Sequence, residues 1–328
     1  MVKYMQGFSR FLKKYIPLIT LLDILTALYV GTHYHTFTSS LNPLILPVVL
    51  LMLLPMMMTI VVKELKLVIR DKKIIIIASL INFVLSPLIG FIWAALFFKG
   101  LDPQFIAGWI LKLTVPCSSM MVAWTGMSRG KTETALVIQV VSFLLATVAI
   151  PLWMTLLVGT YVSVDFWFFG KKIMLIIVLP MVVGVSIREL LICRKYGKKF
   201  FKEEIKPFLP PISSVGMFMV IFIAVGGQAS AIVDNLHLVG ILLISIVLVY
   251  PLLLVLSLFV SKKAMIPYQD SIAIGFATTA KNHGIALALA VSSIGGLSIL
   301  PSTIVPIFQV SLMMIIWKMS SRIEQWFN

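Results

Sequence analysis

The chain has 328 residues, 60 % of them hydrophobic and only 12 % charged. That composition, with a mean hydropathy of +1.07, excludes an ordinary soluble domain, in which about a quarter of residues are charged. The formal charge of +15 does not mark a nucleic-acid binder, because the basic residues fill short gaps between apolar runs instead of forming one basic face.

Ten apolar stretches approach the length of about 20 helical residues needed to cross a hydrocarbon core. In chain order they are Ile16 to Gly31, Leu44 to Val62, Ile74 to Phe98, Phe105 to Met127, Ala135 to Gly159, Ile173 to Ile192, Phe208 to Gly227, Leu238 to Val260, Ser271 to Ile294 and Leu300 to Met319. Period-two alternation is absent, so the pattern predicts an all-α integral membrane protein with ten transmembrane helices and not a β-barrel. Basic residues precede span one without a small-residue cleavage pattern, which predicts a retained span and not a signal peptide. The connections on one side hold 22 of the 27 Lys and Arg residues, against Lys99, Lys171 and Lys172 on the other. Basic residues favour the cytoplasmic side, so a cell-membrane protein with both termini in the cytoplasm is expected.

The prolines carry a repeat. Pro43, Pro47, Pro87 and Pro103 recur at half the chain length, 164 positions on, as Pro207, Pro211, Pro251 and Pro267, with Pro17 and Pro180 one step off. A chosen offset gives about 0.4 such coincidences by chance. With five spans per half, the second repeat enters the membrane upside down, as in many transporters. The expected organisation is a first inverted repeat over residues 1–160, a linker over 161–172 and a second repeat over 173–328.

Polar residues are rare within the spans. Asp23, Asn82, Gln139, Gln228 and Gln309 read as partners in hydrogen bonds between helices, and Lys112 as a lysine reaching the outer interface along its own stem. Cys193, beside Arg194 and Lys195, reads as a packing residue. Span four holds Thr114-Val-Pro116-Cys117-Ser118-Ser119, and Pro116 removes one N–H and frees backbone carbonyls at membrane depth. Span nine holds Thr278-Thr279-Ala280-Lys281-Asn282-His283-Gly284, whose lysine costs a few kcal/mol to insert. Pro116 and Gly284 are the expected breaking residues. The repeat offset sets Cys117 opposite Lys281, and two interrupted helices meeting near the midplane frame a substrate site. Cys117, Ser118, Ser119, Thr279, Lys281, Asn282 and His283 are the candidate substrate contacts: Cys117 as a soft thiolate, Lys281 as an ammonium that couples flux to proton movement, and the hydroxyls as polar ligands or as partners of their own helices. Two cysteines do not make a disulfide framework. Walker A and H-E-x-x-H motifs and paired acidic clusters are absent, so the sequence suggests no enzyme, cofactor or metal site.

The stretch from Pro116 through Trp124 and the Arg129-Gly130 turn to Pro151 resembles helices four and five of the bile acid:sodium symporter superfamily, and within it the arsenical-resistance arsenite efflux permeases. Lys281-Asn282-His283-Gly284 resembles that superfamily's crossing helix nine. The resemblance implies a panel of helices one, two, six and seven, a core of the other six, and helices four and nine crossing in the core. Elevator-like or rocking motion of core against panel would then expose the crossing to each side in turn. It implies secondary transport of a small molecule or oxyanion, with the permeases' essential thiol at Cys117. The positions aligned with sodium ligands are Met121, Val122, Ala135, Gln139, Ala277 and Lys281, so no sodium site is expected and the proton becomes the coupling ion. The glutamate of the permeases' helix nine has no counterpart in Gly284-Ile285-Ala286. An organic anion transporter of the same fold therefore stands as the alternative, and a membrane enzyme or sensor with Schiff-base chemistry at Lys281 as a more distant one.

Overall fold

The computed structural model describes residues 2–60, 72–162 and 165–327, with only the backbone for 2–14 and 16. The end of span two at Val61 and Val62, the basic residues Lys63, Lys66 and Arg70, and positions 163–164 of the expected linker lie outside the described residues. Every regular element among the described residues is helical. The helices used below are α1 (Val2–His33), α2 (Ile45–Met58), α3 (Lys72–Phe97), α4 (Pro103–Thr114), α5 (Met120–Met127), α6 (Thr132–Leu157), α7 (Leu209–Gly227), α8 (Leu236–Lys263), α9 (Tyr268–Thr279), α10 (His283–Leu289) and α11 (Leu300–Phe327).

Six helical stretches among the described residues are long and apolar enough to cross a membrane, fewer than the ten apolar runs in the sequence. Spans four and nine are interrupted, so neither half reaches crossing length. Spans six and seven fall within one helical stretch, Phe166–Gly227, bent where Gly197 takes φ 84°, a left-handed conformation that costs glycine little. Leu96, Val148, Ile244, Val247 and Val255 stay exposed on these helices, as expected of side chains that face lipid acyl chains.

The helices pack in two groups. α7 lies along α2 and α1, and residues 179–186 also pack on α2. α8 lies along α9, and α9 along α6, α5 and α11. Small residues set the close approaches: a Cβ on Gly216 would come 2.8 Å from the Met52 Cβ of α2, and one on Gly108 of α4 would overlap the backbone of Ser298. α4 starts as its sequence dictates, with Pro103 at its first turn and Asp102 Oδ1 accepting from the N–H groups of Gln104 (2.8 Å) and Phe105 (3.0 Å), which caps the orphan donors of the helix start.

Candidate functional site

α4 ends at Thr114 because Val115, preceding a proline, takes an extended conformation (φ −66°, ψ 156°). The chain resumes as a helix only at Met120. α9 ends at Thr279 and α10 begins at His283. Each gap strands peptide groups at membrane depth, where an unsatisfied group costs several kcal/mol. The two gaps satisfy each other. Cys117 and Lys281 form an antiparallel bridge, in which the Ser118 N–H donates to the Ala280 carbonyl (2.7 Å) and the Asn282 N–H to the Pro116 carbonyl (2.9 Å). The Cys117 N–H donates to Ser142 Oγ on α6 at 3.1 Å.

Lys281 is fully buried, and its Nζ donates to the main-chain oxygen (3.1 Å) and side-chain Oδ1 (3.0 Å) of Asn82. That carbonyl is free for a sequence reason. Residues 81–85 form a π turn in which the Ser86 N–H bonds back five residues to Ile81. The next donor in that register would be residue 87, a proline without an N–H. The α-register partner of Phe83 is the same proline, and the Phe83 carbonyl instead accepts from the Trp153 indole N–H.

Lys112 does not reach the interface. Its side chain has 0 % exposure, and Nζ lies 2.7 Å from His283 Nδ1. It points inward because α4 is buried on all sides from Phe105 to Thr114, which leaves the stem no apolar surface along which to reach the headgroups. The two nitrogens share one hydrogen bond, whose direction is set by the tautomer of the ring. Gln309 of α11 is buried, with its Oε1 unpartnered.

The other candidate residues divide by their partners. Asn282 caps α10, its Oδ1 accepting from the Ile285 N–H at 3.0 Å, and its Nδ2 lies 3.4 Å from Met56 Sδ of α2. Gly284 sits in the first turn of α10, past the interruption, where a Cβ would meet Met52 Cε at 2.8 Å; it permits close approach to α2, while Ala280 to Asn282 form the break itself. Ser118 Oγ accepts from the Met120 N–H (3.1 Å), and the hydroxyls of Thr278 and Thr279 donate to carbonyls of their own helix at Ile274 and Gly275. Ser119 precedes α5 and makes no side-chain cap. The polar links around the crossing thus run among α3, α4, α6, α9 and α10, and α10 packs on α2, where Met52 and Met56 face Gly284 and Asn282.

Sequence reasoning did not find Ser142, Met52 or Met56, and it misread Lys112. Only Asn82 carried a local signal, the proline five residues beyond it. Asp23 is half-buried on α1, with Oδ2 unpartnered, and Cys193 is a half-buried free thiol. Gln228 lines a cavity of about 410 Å³ with Asn42, Gly227, Ser292 and Gly296, between the start of α2, the end of α7 and the turn before α11.

The sequence profile of the Sodium Bile acid symporter family matches residues 46–235. Among curated proteins, the chain is similar to the arsenical-resistance protein Acr3 of Corynebacterium glutamicum, with 23 % identity over 92 % of this chain and 87 % of the relative. It is also 26 % identical to the Acr3 of Alkaliphilus metalliredigens, over 84 % of this chain and 81 % of the relative. An uncharacterized sodium-dependent transporter of Bacillus subtilis, YocS, is 24 % identical over 75 % of this chain and 73 % of its own length.

Proposed function

Since the chain belongs to the sodium bile acid symporter family and is a multi-pass membrane transporter, we propose that it is a sodium-independent secondary transporter exporting arsenite or a related metalloid oxyacid. The similarity to two arsenical-resistance proteins over most of the chain supports the substrate class. The carrying observation is the bridge that sets Cys117 beside Lys281. A thiol is a soft ligand suited to a trivalent metalloid. In this reading the ten spans form two inverted repeats over residues 1–160 and 173–328, joined by 161–172, with both termini in the cytoplasm. The α1, α2 and α7 group, with residues 179–186, is the panel, and the remainder is the core.

Lys281 takes the role that sodium has in sodium-dependent relatives. Of the positions aligned with sodium ligands, Met121, Val122, Ala135, Ala277 and Lys281 have no oxygen side chain to offer a hard cation, which leaves Gln139 alone to supply one. A lysine at the crossing supplies the positive charge within the chain and couples flux through its proton. The crossing is closed in this conformation, since Cys117 and Lys281 have no exposed surface. Substrate therefore enters when core and panel shift, and the thioether contacts of Met52 and Met56 are suited to that shift because they are weakly directional. The cavity lined by Asn42, Gln228 and Ser292 at the panel–core junction serves as a vestibule.

Everted membrane vesicles test this reading. Labelled arsenite should accumulate equally in sodium and choline media, and Cys117→Ser should reduce accumulation to background. Undiminished arsenite flux in Cys117→Ser would refute it. An organic anion is the second reading, favoured by two buried lysines without a carboxylate beside them; accumulation of labelled organic acids in place of arsenite would establish it.

A further inference from the structure

The turn between spans six and seven carries a dense positive charge that no described residue neutralises. Residues 194–206 hold six basic side chains, Arg194, Lys195, Lys198, Lys199, Lys202 and Lys206, against Glu203 and Glu204. All six are exposed. The ion pairs among the described residues are Arg129–Glu324, Lys131–Asp270 and Arg188–Glu189, and none of them uses these six. Like charges gathered this densely repel one another unless an external counter-charge lies beside them. The chain turns here at Gly197 (φ 84°), where an added Cβ would meet no described atom within 4 Å, so the tip of the turn is left uncovered.

A second observation sets the depth of this charge. Leu190 and Leu191 are exposed just before it, and Ile212 and Val215 just after it, as expected of side chains that face acyl chains. Leu191 and Lys195 are four helical residues apart, about 6 Å along the axis, and the headgroup layer is about 5–8 Å thick on each side of the hydrocarbon. The basic run therefore begins at headgroup level. Aromatic side chains are interleaved with it: Tyr196 and Phe200 are exposed with ring centroids 5.0 Å apart, and Lys195 Nζ lies 5.1 Å from the Tyr196 centroid. Exposed aromatics among lysines suit an interface that is apolar on one side and anionic on the other.

The same segment is tied to the end of α2. Phe201 is buried in one apolar cluster with Met58 and Leu209, the Arg188 guanidinium lies 5.9 Å from the Phe201 centroid, and Arg188 donates to the Met58 and Ile60 carbonyls.

We propose that residues 194–206 form a binding surface for anionic phospholipid headgroups, which fastens α2 and α7 to one leaflet. Phosphodiester oxygens supply the missing counter-charge, Tyr196 and Phe200 rest on the upper acyl carbons, and Phe201 and Arg188 pass the attachment to the end of α2. In the transporter reading, the panel is thereby held at a fixed depth while the core shifts. The lipid surface itself requires only that the chain spans a membrane.

The test is limited chymotrypsin digestion of the full chain in nanodiscs of phosphatidylcholine alone or of an equal mixture with phosphatidylglycerol. Cleavage after Tyr196 and Phe200 is read by fragment mass. Phosphatidylglycerol should slow it by at least about tenfold, since each basic residue near an anionic surface is worth about fivefold in affinity. Lys195→Gln, Lys198→Gln and Lys199→Gln combined should abolish the difference, and the same three residues changed to Arg should retain it. These side chains are exposed, so both triple variants should melt in phosphatidylcholine as the wild type does. Equal cleavage of the wild type in the two lipids, or a wild-type difference in the triple Gln variant, would overturn the inference. So would equal protection by soluble glycerol phosphate added to phosphatidylcholine discs, which would assign the charge to a free phosphate. Cys117→Ser leaves this surface intact and should be protected as the wild type is. Loss of the metalloid reading through that variant's arsenite flux therefore leaves the lipid surface standing, and loss of the lipid surface leaves Cys117-dependent arsenite flux standing.

Discussion

The Lys281 ammonium is held by both oxygens of a single residue, Asn82, at 3.1 and 3.0 Å across 199 positions of sequence. This chelate ties α9 and α10 to α3 and fixes the lysine at the crossing.

Breaking that chelate from one side strands a buried charge or a pair of buried acceptors. Asn82→Leu should destabilise the protein by about 3 kcal/mol, and Lys281→Met by about 2 kcal/mol. The double variant should be more stable than the two losses added together, by at least about 1 kcal/mol, because it leaves only the main-chain carbonyl of residue 82 unpaired, without a stranded Asn82 Oδ1 or Lys281 Nζ. Denaturation of all four proteins in mild detergent, treated as a double-mutant cycle, measures the coupling. Simple additivity would mean that the contact carries no energy of its own.

Gly284 sets how closely α2 can cover the crossing. An added Cβ would crowd the flexible end of Met52 and reach only ordinary contact, 3.5 Å, with Asn282 Oδ1, so Gly284→Ala should transport nearly as well as the wild type. Gly284→Val adds bulk that the methionine cannot avoid and should reduce flux by about tenfold, in line with the 1–3 kcal/mol cost of overpacking a close contact. Met52→Ala should restore flux in the Gly284→Val background. Absence of rescue would place the defect within α10 and not against α2.

Asp270 anchors the start of α9. It is buried, and it accepts from Thr134 Oγ1 (2.5 Å) and Lys131 Nζ (3.2 Å), joining the start of α9 to the start of α6. Asp270→Ala should cost about 2–3 kcal/mol, most of it from the unpaired hydroxyl and the lost charge-assisted bond. Asp270→Asn should cost about half as much, because it retains an acceptor for Thr134. Lys131→Ala should cost under about 1 kcal/mol, since its side chain is 54 % exposed and solvent screens the pair. Urea or thermal melts of the three variants give the order directly.

Arg188 closes the end of α2. Its NH1 donates to the carbonyls of Met58 and Ile60, and its NH2 to Glu189 Oε1 at 2.8 Å. Arg188→Met should fill the space yet leave those carbonyls unpaired, lowering stability by about 2 kcal/mol. Arg188→Lys should recover only part, because one ammonium cannot reproduce the planar fork. Proteolysis at the end of α2 offers a local readout: cleavage should rise in the Met variant before global unfolding.

Much of the fold is legible in local chemistry. The apolar runs mark the helices, Pro116 marks the gap in span four, and the costly Lys281-Asn282-His283 run marks the gap in span nine. The offset between prolines sets Cys117 opposite Lys281, and the chain pairs those two residues. Lys112 shows where such reading stops. Nothing within its own turn of helix distinguishes a lysine bound to His283, 171 residues away, from one bound for the headgroups; only the burial of α4 on every side decides it. Gly284 was legible as a special position but not for its reason, since the glycine accommodates a neighbouring methionine instead of opening the backbone. Ser142 and Met56 carry no local mark, because a serine or methionine in an apolar helix gains its role from what packs opposite.

The mutual pairing of the two interrupted segments has a mechanical consequence. Since the amides at the gaps find their partners in each other, the junction can travel as one solid piece without exposing a naked peptide group to lipid midway. Met52 and Met56 are pliable parts of the α2 face toward α10, so stiffening that face with Met52→Ile and Met56→Ile together should slow turnover without touching Cys117, Lys281 or the bridge between them.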